Sequence, residues 1–156
     1  MTPPTAFRYV IFTEPKGDGE MVQFYLLSIL MNIVAGYSLI SFQTEPNGTK
    51  FDGVREFLKD ATIRLVLGIL CSTVGFFKLL TVMRGDIPVV GDLVPSLAGM
   101  ASGFTLLLEF YKNNSNVTTA ALEKLDSIFV ANKRLVGIIS IVSGFVHFLF
   151  ANVLFL

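Results

Sequence analysis

A chain of 156 residues, 53% hydrophobic and 15% charged with a mean hydropathy of +0.67, is too apolar for a soluble domain and belongs in a bilayer. Lys and Arg (12) balance Asp and Glu (12), so no net field draws nucleic acid or an acidic partner to it. The single cysteine, Cys71, excludes an intrachain disulfide and a cysteine-rich metal site, and its place in an apolar run points to packing and not to redox chemistry.

Residues 1–20 read as an N-terminal arm, because Pro3, Pro4, Pro15, Gly17 and Gly19 interrupt any helix. Its apolar patch over 7–12 is too short for a signal core and suits a membrane surface or a partner. The first span, 21–42, is uncharged, with Gln23 and Asn32 as polar exceptions, and is long enough to cross a bilayer. The turn-rich 43–50 leads into 52–60, where Asp52 is placed to cap a short amphipathic helix at the membrane interface. The second span, 62–83, is followed by Gly85-Asp86 and Gly91-Asp92. Asp92 is the expected N-cap of the third span, 92–111, which puts Pro95 in the first turn where its missing N–H costs little. A polar stretch after Tyr111 and an amphipathic stretch around Leu122, Leu125, Ile128 and Phe129 precede the last span, 133–155. The second and third spans, joined by a tight turn, make a transmembrane hairpin.

A shift of 69 residues lays Arg64-Leu65-Val66-Leu67-Gly68-Ile69 over Lys133-Arg134-Leu135-Val136-Gly137-Ile138, and Gly75-Phe76-Phe77-Lys78 over Gly144-Phe145-Val146-His147. The odd spans share a fainter echo, Ala35-Gly36-Tyr37 against Ser102-Gly103-Phe104. The expected fold is therefore an all-α membrane protein, a four-transmembrane-helix bundle over 21–156 built from two repeated helical hairpins. The competing explanation is convergence, since membrane helices draw on few residue types.

Small residues indicate which faces meet. Gly99 and Gly103 form a Gly-x-x-x-Gly on the third span, Gly68, Ser72 and Gly75 line the second, and Gly137, Ser140 and Gly144 match them on the fourth. Such faces let backbones approach closely, within one chain or as the seam of a homo-oligomer, and closing the bundle is the first demand on them. Gly99 and Gly103 are expected to meet Gly68 and Gly75, or Gly137 and Gly144, within one chain.

The basic residues cluster on one side: Lys50, Arg55, Lys59, Arg64, Lys112, Lys124, Lys133 and Arg134 in or beside loops one and three, against Arg8, Lys16 and Arg84. By the positive-inside rule loops one and three are cytoplasmic and both termini lie on the opposite side. Three Asn-x-Ser/Thr triplets, at Asn47, Asn113 and Asn116, fall in those same loops and point the other way only where a secretory pathway glycosylates them.

Within or beside the spans the ionisable groups are Lys78, Glu109 and His147, each a functional candidate because charge inside a membrane is costly. Arg64 and Glu109 read as helix-end charges, with Glu109 in reach of Lys112 or Arg64. Lys78 and His147 occupy equivalent places, three residues after a glycine, and so share a depth and the small-residue side. Asp92, two turns before Gly99, and Asp86 are the partners expected for Lys78, forming a cluster with His147 that either pins the hairpin or opens an ion or ligand site. No metal-ligand set, nucleophile–base pair, phosphate loop or dinucleotide fingerprint occurs, so no cofactor is named.

The pattern Arg64-x3-Gly68-x6-Gly75-x2-Lys78, followed by a span ending in Glu109, resembles the opening hairpin of the DoxX-like four-helix membrane proteins. The likeness covers residues 64–109. It falls here on the second span, where the family has it on the first, and the Gly-Asp-Ile-Pro-Val-Val-Gly-Asp connection departs from that pattern. The resemblance implies a small subunit that accompanies a membrane redox or transport complex, without an active site of its own. Three functions are therefore weighed: a non-catalytic subunit or assembly partner of a larger membrane complex, a small carrier or ion or proton pathway using Lys78, Asp92 and His147, and a quinone-handling redox subunit. The expected partners are the lipid bilayer and other membrane subunits.

Overall fold

The computed structural model describes residues 18–41, 48, 50–82, 89–116 and 119–149 and, within its helices, the side chains of all but 18–22, 81–82 and 89–92. All regular structure among the described residues is helical: α1 (Asp18–Ser41), α2 (Asp52–Lys59), α3 (Ala61–Val82), α4 (Val89–Asn114), α5 (Ala120–Leu125), a π-helical turn (Asp126–Val130) and α6 (Lys133–Leu149). Three stretches, Gln23–Ser41, Ala61–Leu80 and Leu93–Asn114, are long and apolar enough to cross a membrane. A fourth is added if the α5–π segment and α6, bent by 54° at their junction, make one span. These lengths fit a multi-pass membrane protein.

The helix starts differ from expectation in three places. α1 begins at Asp18 and so takes in 18–20; the rest of the expected arm lies outside the described residues. At α2 the N-cap position is Phe51, with no side-chain cap, and Asp52 is already helical. Its carboxylate pairs instead with Arg55, 3.2 Å away one turn on, and a first-turn acid also favours the helix dipole. α4 begins at Val89, immediately after Pro88 in the sequence, so Asp92 is no cap but a first-turn residue and Pro95 lies inside the helix. At α3 the cap is supplied by Asp60, whose carboxylate accepts the backbone N–H groups of Thr62 (2.8 Å) and Ile63 (3.1 Å).

The principal packing partners are α3 with α4 and α1 with α6. The two pairs meet through α1 with α4, α1 with α3, and α4 with α6. Ala35, Leu39, Leu67, Cys71 and Leu106 form the buried apolar core with Leu58 of α2. The pairs are joined through glycines. A β-carbon on Gly137 would lie 2.7 Å from the Gly36 carbonyl oxygen and against Ile40 and Leu39, whereas on Gly68 it would lie 3.1 Å from the Gly103 carbonyl oxygen and against Leu107 and Leu106. Gly144 sits on Ile29 and Ile33 of α1, and Gly75 on Ser96 and Met100 of α4. Each α1 contact thus has its α4 counterpart 67 positions later, and each α6 glycine its α3 counterpart 69 positions earlier.

These contacts correct part of the packing expectation. Gly103 does meet Gly68, but Gly99 faces the Asn32 side chain, and Gly137 and Gly144 pack on α1. The reason is pairing order: α6 lies along α1, so its small face meets Gly36 and not the Gly-x-x-x-Gly of α4.

Candidate functional site

The buried ionisable groups and the Asn32 cluster fall into three layers set by the chain itself. Arg64, Cys71 and Lys78 succeed one another every seven residues on α3, and Lys133, Ser140 and His147 do so on α6. Seven residues are two helical turns, so successive layers stand about 10 Å apart on the same face of each helix.

In the first layer the Glu109 carboxylate of α4 joins two cations. Arg64 Nη2 donates to Glu109 Oε2, and Lys133 Nζ donates to Glu109 Oε1 at 2.8 Å. The Arg64 and Glu109 side chains are only 5% and 6% exposed, so the pair is held in low dielectric where its geometry matters most. Arg64 is thus one of the two partners expected for Glu109. Lys112 instead pairs with Asp126 in a more exposed ion pair at 2.7 Å, and Lys133 takes its place.

The second layer is uncharged and centres on Asn32 of α1. Its Nδ2 donates to the Pro95 carbonyl of α4 (3.0 Å), and Ser140 Oγ lies within 3.0 Å of Asn32 Oδ1 and 2.9 Å of the Asn32 carbonyl. Ser102 Oγ donates to the Gly99 carbonyl (3.0 Å) and stands 3.3 Å from Ser140 Oγ. Cys71, also buried, places Sγ 3.2 Å from the Gly99 carbonyl. The Cys71 contact to Gly99 O answers the Ser140 contact to Asn32 O under the same offsets of 69 and 67. A glycine is needed at 99 because a β-carbon would lie 3.1 Å from Asn32 Oδ1.

In the third layer Lys78 Nζ lies 2.6 Å from His147 Nε2. Two nitrogens at that separation require one donor and one acceptor, so the contact holds one proton between them. Tyr25 of α1 closes this layer: its hydroxyl donates to the His147 carbonyl, its ring centroid is 4.6 Å from that of His147, and Lys78 Nζ stands 5.3 Å over it. Lys78 and His147 therefore come together at one depth. The expected aspartate partners lie outside this description, Asp86 among residues not described and Asp92 with its side chain not described. A groove of about 260 Å³ between α4 and α6 is lined by Val94, Pro95, Ile139, Val142, Ser143 and His147.

Sequence reasoning named Arg64, Glu109, Lys78 and His147 but assigned no role to Tyr25, Ser102, Ser140 or Lys133 in these layers. The heptad spacing of polar residues on the second and fourth spans is the signal that finds Ser140 and Lys133. Among the described residues no group of three or more His, Cys, Asp or Glu is placed to hold a metal ion.

A protein-family model matches residues 21–147, a range that takes in all three layers. An uncharacterized protein of Treponema pallidum (strain Nichols) is 32% identical over 139 residues, covering 87% of this chain and 100% of the relative. No solved structure matches the chain.

Proposed function

The chain belongs to the family whose model matches residues 21–147, and we propose that this member is a four-span membrane subunit or assembly partner of a larger membrane complex, built from two equivalent hairpins and carrying no reacting groups of its own. The observation that carries this reading is the pairing of interior polar groups with one another. Glu109 is taken by Arg64 and Lys133, Asn32 by Pro95 and Ser140, and Lys78 by His147. Layers about 10 Å apart exceed direct hydrogen-bond reach, and between them stand Leu67, Leu106, Gly68 and Gly75 together with the buried hydroxyls of Ser143 and of Thr105, which bonds to the Ala101 carbonyl of its own helix. Such layers fix helix register and leave the outer faces for lipid and partners. The matched contacts of Gly68 with Gly137 and of Gly75 with Gly144 support the two-hairpin construction. On this reading the DoxX-like pattern is a set of pairing and packing positions, Arg64 and Lys78 being pins and Gly68 and Gly75 seats. Loops one and three are assigned to the cytoplasmic side by their basic residues.

Purification of the full chain from its native membrane in mild detergent tests this. A stoichiometric larger assembly on native gels is the expected result, and a lone monomer or dimer overturns it. The one-proton contact between Lys78 and His147 favours a second reading, a proton pathway. Proteoliposomes loaded with a pH dye distinguish the two, since flux abolished by His147→Gln in a folded variant supports the pathway and absence of flux removes it.

A further inference from the structure

Loop one places an amphipathic helix beside the first polar layer. On α2 Leu58 is buried and its carbonyl accepts a hydrogen bond from Ser38 Oγ of α1 (3.3 Å), while Phe51, Val54 and Phe57 project outward, all more than half exposed. A short helix tied to the bundle on one side, with aromatic and aliphatic groups outward and Lys50, Arg55 and Lys59 beside them, suits the headgroup region of a bilayer. At the junction of α2 and α3 a pocket of about 60 Å³ is lined by Lys59, Ala61, Arg64, Phe110, Asn113 and Asn114. Its chemistry is that of an anion site with one apolar wall. Lys59 supplies an ammonium and Asn113 an amide, the Arg64 guanidinium that lines the pocket is shared with Glu109, and Phe110 supplies the wall. The Asn114 amide is already committed to the Phe110 carbonyl (2.9 Å), and the α3 N-terminus is already covered by Asp60, so the side chains and not the helix end define the site.

We propose that this pocket receives the phosphate of an anionic phospholipid headgroup. The lipid, not free phosphate, is the source that fits, because the pocket stands at the start of α3, a helix long and apolar enough to cross a membrane, and has Phe110 as an apolar wall. The inference uses the membrane placement of the helices but is independent of the subunit reading, since a lone protein can hold the lipid equally well.

Native mass spectrometry of the full chain released from bilayers of phosphatidylcholine with added phosphatidylglycerol tests it. The expected result is retention of phosphatidylglycerol over phosphatidylcholine, reduced about fivefold by Lys59→Gln and unchanged by Lys124→Gln, which removes the same charge from exposed α5. Lys59 is not one of the two cations that pair with Glu109, and an unchanged thermal melt in phosphatidylcholine alone checks that the variant folds. Equal retention of both lipids, or equal loss in both variants, overturns the site. Displacement of the lipid by inorganic phosphate at comparable concentration overturns the lipid as its source.

Discussion

Glu109 is the single carboxylate between two cations from different helices, so its charge holds α3, α4 and α6 together at one end. Glu109→Gln keeps the shape but leaves Arg64 and Lys133 facing a neutral amide in a site 6% exposed. Loss of one partner of a buried ion pair costs about 3–5 kcal/mol, so the variant is expected to unfold at clearly lower denaturant in detergent. Lys112→Gln breaks an ion pair whose lysine is 56% exposed, and a change under about 1 kcal/mol is expected there. Equal losses in the two variants would show that the first layer is not a pin.

The helix pairs are set by close backbone approach, and substitutions that add one carbon measure it. At Gly103 a β-carbon would lie 2.5 Å from Ser72 Oγ, 2.7 Å from Ser72 N and 2.8 Å from the Gly68 carbonyl, so α3 and α4 must separate to admit it. Gly103→Ala is expected to lower stability by about 1–3 kcal/mol. At Gly53 of α2 nothing stands within 4 Å, and Gly53→Ala is expected to stabilise by about 0.5–1 kcal/mol through helix propensity alone. Thermal melts of both variants check the opposite signs. The outward edge of α2 has its own test, because the chain contains no tryptophan. Phe57→Trp introduces a lone fluorophore at a site 59% exposed. Its emission is expected to be quenched by lipids brominated near the glycerol and less by lipids brominated near the chain end. Quenching by aqueous iodide alone would place α2 in solvent and refute its interfacial position.

At the scale of the whole molecule the question is which side each loop faces. In a Cys71→Ser background, single cysteines at Lys16 or Arg84 should react with a membrane-impermeant maleimide on intact cells. Cysteines at Asn47 or Asn114 should react only after permeabilisation. The reverse pattern would invert the orientation derived from the basic residues while leaving the spans and the three layers as they are. The assembly reading belongs to this scale too: the outer faces of α3 and α6 carry Val66, Ile69, Phe76, Phe77, Ile138, Val142 and Phe145, all about half exposed. In a bilayer that surface is lipid-facing or partner-facing, and the native gel distinguishes a bound subunit from a solitary bundle.

Helix positions and the depth shared by Lys78 and His147 were legible in the sequence, because both depend on local order: apolar runs of bilayer length, and residues three places after a glycine on equivalent spans. The Arg64–Glu109 pair was legible only as one of two alternatives, since Lys112 lies as near the end of the third span, and the structure gives Lys112 to Asp126. Helix pairing was not, since small-residue faces on the second, third and fourth spans are compatible with several partners, and only the assembled bundle places α6 against α1 and leaves Gly99 to Asn32. Capping at Asp52 and Asp92 failed because both residues fall inside helices that begin one and four residues earlier than a cap would require. The central layer was hidden for a related reason. Asn32, Ser102, Ser140 and Cys71 are neutral and separate in the chain, and nothing short of three-dimensional packing makes their hydrogen-bonding capacity converge.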